Sequence, residues 1–222
     1  MVIDHINLLW FDHAVLPMFL IGRGTFPLFC YAVAVAVMKA GPAGPRRYAG
    51  RLLLAAVVAQ PFYYFSVGGG MANVIFTLAA GSLLAGLSGR LRPWQMYAIY
   101  SIALASMMWK LPLEFGLAGV ALPSALLLAL RGQKSVYPFL LLLLFFVNMG
   151  GFLEALIQGP VLSFAATFII VGLAAAFLPL MVLDAARYMK QAGRLLPKYA
   201  LHVFYPGHLV LLKITGLFFF PK

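Results

Sequence analysis

Apolar residues run through this chain in long blocks separated by short clusters of charge, glycine and proline. Splitting at those clusters gives apolar segments near 1–10, 14–38, 48–66, 71–88, 94–110, 114–130, 136–152, 161–186 and 200–220. Most approach the ~20 residues that carry a helix across ~30 Å of hydrocarbon. Runs such as Phe139 to Val147, "FLLLLLFFV", are apolar on every face, which excludes the alternating pattern of a membrane barrel. The pattern predicts an all-α chain: a polytopic transmembrane helical bundle of about eight or nine spans. A single integral-membrane domain over 1–222 follows, with no linker long enough to separate a second unit. The first segment is too short to cross, so Met1 is expected to be an internal start, with upstream residues completing that span.

The linkers sharpen this picture. Lys39, Arg46, Arg47 and Arg51 fall in one, Arg90 and Arg92 in another, Arg131 and Lys134 in a third, and Arg187, Lys190, Arg194 and Lys198 in a fourth. These twelve of the sixteen basic residues lie on one side of the threading. The opposite connections hold one cation, Lys110, so the positive-inside rule makes the basic side cytoplasmic. Composition agrees: 64% of residues are hydrophobic, 9% are charged, and the mean hydropathy is +1.00. The net charge of +11 needs no nucleic acid to explain it, because short loops on one face carry it. Arg46, Arg47 and Arg51 are also candidates for holding the phosphates of a cytosolic cofactor. The single cysteine, Cys30, lies within an apolar run, and no metal-ligand cluster is present in the sequence.

Ionisable groups at membrane depth are costly unless paired or hydrated, which makes each a functional candidate. Arg23 lies nine residues in from Ala14, roughly 14 Å at helical rise, near the midplane. Asp4 and His5 lie at roughly 10 Å on the preceding antiparallel segment and share that layer. Neighbours on a helix point ~100° apart, so Asp4 and His5 must find partners on other helices. The simplest assignment pairs Asp4 with Arg23 and leaves His5 or His208 to move protons, since an imidazole titrates near neutrality. A purely structural Asp4–Arg23 pair and a packing role for His208 are the competing readings. Gln60, Asn73 and Asn148 add polar groups in the outer halves of their segments. Lys213 is read as a snorkelling residue, and Tyr63, Tyr64 and Trp94 as interfacial anchors.

Six motifs occur in order: "DHINLLWF" from Asp4, "GRGTFPLF" from Gly22, "AQPFYY" from Ala59, "NVIF" from Asn73, "EFGLAGV" from Glu114 and "FYPGHLVLL" from Phe204. Together they resemble the TraX family, known for F-pilin acetylation in conjugation, over nearly the whole chain. The resemblance implies a bacterial inner-membrane acyltransferase that passes acetyl from acetyl-CoA to the N-terminal amine of pilin or a similar extracytoplasmic peptide. It implies no metal. On that reading His5, Asp4, Arg23 and His208 are the catalytic candidates, with His5 the leading base. Arg47, Arg51, Gln60, Asn73, Asn148 and Tyr205 are candidates for holding donor or acceptor. The rival classes are a proton-coupled small-molecule transporter and a non-catalytic assembly factor for a pilus or conjugation machine.

Overall fold

A computed structural model describes residues 2–11, 15–41, 43–68, 70–106, 111–149 and 200–219. These form helices α1 (Val2–Phe11), α2 (Leu16–Arg23), α3 (Thr25–Lys39), α4 (Gly44–Val67), α5 (Val74–Ser88), α6 (Pro93–Ala105), α7 (Gly116–Leu130), α8 (Tyr137–Met149) and α9 (Ala200–Phe219). No strand occurs among the described residues, and a lone parallel bridge joins Ala72 to Leu113. The expected span 161–186 and the basic cluster 187–198 lie outside the described residues.

Helix α7 is the hub. Ala118, Ala121, Leu122, Ala125, Leu126, Leu127 and Leu128 are all buried, so this helix is enclosed by its neighbours α3, α5, α6 and α8. That follows from its sequence, "GLAGVALPSALLLAL", which offers no polar face beyond Ser124. Ser124 is satisfied by the Ala121 carbonyl and by the Tyr100 hydroxyl of α6 at 3.2 Å. Close approach of α5 to α7 depends on Gly81. A Cβ there would sit 2.8 Å from Pro123 Cγ and 3.0 Å from the Val120 carbonyl. Small residues at such crossings let backbones meet where the surroundings supply no hydrophobic driving force.

Within the apolar run 14–38 the described residues form two helices rather than one. The chain ends α2 at Arg23, passes Gly24, and restarts as α3 at Thr25. Glycine costs a helix interior ~1 kcal/mol relative to alanine, and two glycines flank Arg23 at this joint. Among the described residues α4 alone is both long and apolar enough to cross a membrane. Helices α3, α5 and α7 have 15 residues each, about 22 Å long, and their connections consume the remaining apolar residues. These three helices begin at one end of the molecule and finish at the end that carries Lys39, Arg90 and Arg131.

Candidate active site

Helix α1 delivers the first groups. The Asn7 side chain imitates a backbone partner, accepting from the Val15 N–H at 3.0 Å and donating to the Val15 carbonyl at 3.1 Å. Trp10 Nε1 donates to the Leu212 carbonyl of α9 at 3.0 Å. A ten-residue helix is marginal by itself, and these bonds fix it between the start of α2 and α9.

So held, α1 brings His5 Nδ1 to 2.8 Å from His208 Nε2, a buried contact between residues 203 positions apart. His208 Nδ1 lies 2.9 Å from the Phe204 carbonyl, one helical turn back. A carbonyl only accepts, so His208 Nδ1 carries a proton and donates it. In the neutral pair His208 Nε2 is then the acceptor, His5 Nδ1–H is the donor, and the lone pair of His5 falls on Nε2. The Phe204 ring stacks on His208 at 5.1 Å and 13°, fixing the plane of the second imidazole. One backbone carbonyl thus sets the tautomer of an imidazole two bonds away.

The joint between α2 and α3 forms the next wall. Gly22 packs against Asp4, and a Cβ at position 22 would lie 2.6 Å from both Asp4 Cβ and Cγ. Beyond the joint, Thr25, Phe26 and Phe29 face a cavity of about 40 Å³ that Asp4, His5 and Gly22 also line. A water needs ~10–15 Å³ of such space, so the cavity takes about three waters or one small substituent.

Glu114 closes the site from the loop that leads into α7. Its N–H donates to the Ala72 carbonyl at 3.1 Å, its own carbonyl accepts from Thr77 Oγ1 at 2.5 Å, and its carboxylate hydrogen-bonds to Tyr63. Phe115 follows with φ 63, the left-handed region that a bulky side chain rarely occupies. That turn stacks its ring on Phe26 at 3.9 Å and 9°. Such strain persists where surrounding structure over-determines it, and it accumulates at functional sites. Val74 and Tyr205 complete the cavity lining.

Of the sequence candidates, the fold gathers Asp4, His5 and Tyr205 around this cavity and sets His208 against His5 and Tyr205. Arg23 is the final residue of α2, directly after the glycine that touches Asp4; its side chain lies outside the described residues, as does that of Asn148 in α8. Gln60 and Asn73 form a separate network. Gln60 Oε1 accepts from Asn73 N and Nδ2, both at 2.9 Å, and Gln60 Nε2 donates to the Met71 carbonyl at 2.9 Å. Asn73 also caps α5 by accepting from Ile75 N and donates to the Ala56 carbonyl. These bonds brace the loop that holds Glu114. Arg47 and Arg51 are exposed in the first turns of α4, with Arg47 about 20 Å from Gln60 at helical rise.

Sequence reasoning missed Glu114, Tyr63 and Thr25 as site residues. Tyr63 is not an interfacial anchor: it is 5% exposed and bonded to Glu114, whereas its neighbour Tyr64 is 62% exposed. Scarcity was the usable signal for Glu114, one of five acidic residues in the chain, at the head of an apolar segment.

An imidazole pair with a defined tautomer, beside carboxylates, a phenol and a small cavity, gives this strongly apolar protein, helical throughout its described residues apart from turns and loops, a candidate acid–base site. The TraX protein family model matches residues 1–215. The chain belongs to the TraX family. No curated protein and no solved structure matches it.

Proposed function

We propose that the protein is a polytopic inner-membrane acetyltransferase, taking acetyl from acetyl-CoA and placing it on the N-terminal amine of pilin or a comparable extracytoplasmic peptide. The observation that carries this reading is the His5–His208 bond, which leaves the lone pair of His5 on Nε2 of a residue lining the cavity. A free α-amine has a pKa of about 7.7–8.0, so a useful fraction is neutral near pH 7 and attacks without activation. What remains is removal of the proton from the ammonium of the tetrahedral intermediate. His5 Nε2 accepts that proton, and the positive charge is shared with His208 and the Phe204 carbonyl through the hydrogen-bonded chain. Asp4 and Glu114 balance the developing imidazolium and the incoming ammonium.

Membrane embedding is supported by the exposed apolar surface. Leu53, Leu54, Val57, Val58, Phe62 and Phe65 of α4 are exposed, as are Leu211, Ile214, Leu217 and Phe218 of α9. Lipid is the medium that covers such faces without penalty. With Lys39, Arg46, Arg47, Arg51, Arg90, Arg92, Arg131 and Lys134 gathered at one end, that end is taken as cytoplasmic. The cavity, at the first residues of α3, α5 and α7, then lies in the extracytoplasmic half, where a processed peptide presents its terminus. Arg47 and Arg51 meet the anionic phosphates of the donor on the opposite side.

The test uses purified protein in nanodiscs, labelled acetyl-CoA and a synthetic peptide with a free α-amine, read by intact mass. Transfer that requires the α-amine supports the reading. Absence of transfer, with proton-coupled uptake of a small molecule in proteoliposomes, would favour the carrier alternative.

A further inference from the structure

The Tyr205 hydroxyl has no use in the scheme above. It is buried, with the residue 6% exposed, and its Oη makes no hydrogen bond among the described residues. Leaving a buried hydroxyl unmade costs about 1–3 kcal/mol, so a chain tolerates it where something else is gained. The residue lines the cavity, and its ring stands edge-on to both imidazoles, at 6.5 Å and 69° from His5 and 5.7 Å and 67° from His208. It sits on α9 three residues before His208, on the turn whose Phe204 carbonyl fixes the imidazole tautomer. Phenylalanine would fill the same space without the unmet polar group. A phenol is present instead.

We propose that Tyr205 is the oxyanion donor of the site, its O–H held for a negative oxygen that exists only during transfer. This rests on the acetyltransferase reading. The amine nitrogen attacks the thioester carbonyl carbon; the N–C bond forms, and the carbonyl π pair moves to oxygen, which accepts the Tyr205 O–H. His5 Nε2 takes the proton from nitrogen. The oxyanion then re-forms C=O, the C–S bond breaks with its electron pair leaving on sulfur, and the imidazolium returns the proton to give the free thiol. Tyr205 keeps its own proton throughout and gains a full hydrogen bond at the intermediate. An unpaired donor in the resting site is what makes this contribution differential, since nothing must be broken to supply it.

The test is Tyr205→Phe, which removes one oxygen atom and keeps the ring. Losing an oxyanion donor lowers kcat by about 10²–10³ with KM little changed. The same substitution removes an unsatisfied buried group, so thermal stability is expected to stay level or rise. Lower kcat at undiminished stability, measured on full-length protein in nanodiscs with acetyl-CoA and the α-amine peptide, supports the assignment. A Tyr205→Phe protein within threefold of wild-type kcat overturns it, as does a loss of kcat matched by a loss of stability. Wild-type protein inactive on any acyl thioester removes the parent reading, and the proposal with it.

Discussion

Replacing Gly22 by alanine tests how the site is assembled, because the structure supplies both the perturbation and its size. The new Cβ would lie 2.6 Å from Asp4 Cβ. Carbon atoms rest at about 3.5–4.0 Å, so roughly 1 Å must be found. Rotating the Asp4 side chain moves Cγ and the carboxylate oxygens but leaves Cβ in place, so α1 itself has to retreat. His5 is the next residue on α1, and its 2.8 Å bond to His208 stretches with that retreat. Overpacking of this kind costs about 1–3 kcal/mol. Misplacing a catalytic group by 1 Å costs about 10²-fold in rate. Gly207→Ala is the control: it is the same substitution, one residue before His208, with nothing within 4 Å of the new Cβ. Relief of glycine's conformational entropy should make that variant about 0.5–1 kcal/mol more stable. Purified variants would be compared by thermal unfolding and by initial rate of acetyl transfer. Gly22→Ala with wild-type rate and stability would refute the packing argument; Gly207→Ala losing as much as Gly22→Ala would show that any methyl near the site is harmful.

Asn73→Ala removes a helix cap and the bonds to Gln60 and Ala56, and should cost about 1–3 kcal/mol of stability while the folded fraction keeps its KM for donor and acceptor. A raised KM at unchanged stability would instead make Asn73 a substrate contact. Phe26→Ala removes half of the Phe26–Phe115 stack that bounds the 40 Å³ cavity, so the ratio of butyryl to acetyl transfer should rise at least tenfold in a donor competition assay. An unchanged ratio would mean that the acyl group is held elsewhere. Phe26→Leu provides a milder enlargement should the alanine variant lose its fold.

Much of the architecture can be read from residue order because hydrophobic length and charge punctuation control it. The segments 48–66, 114–130 and 200–220 correspond to α4, α7 and α9 within a few residues. The break at Gly24 escaped that reading, since the run from Ala14 to Met38 is continuously apolar and only the glycines around Arg23 hint at a joint. Depth counting set Asp4, His5 and His208 well in from the ends of their apolar segments but could not say which groups touch. Contact between His5 and His208 depends on how α1 docks on α9, which the Asn7 and Trp10 bonds decide. Tyr63 was hidden for a similar reason: aromatic residues at a segment end look alike in sequence, and burial distinguishes Tyr63 from Tyr64 only after α9 and α4 pack. Glu114 required the bridge between two loops, a pairing with no sequence periodicity to reveal it.

Acetyl transfer by wild-type and His5→Ala protein tests the central claim most directly. With labelled acetyl-CoA and the α-amine peptide, wild-type protein should yield one acetyl per peptide terminus, and His5→Ala should be slower by about 10²–10⁴ while retaining its thermal transition. Equal rates for the two proteins would contradict the account, since the base it names would then take no part in the reaction.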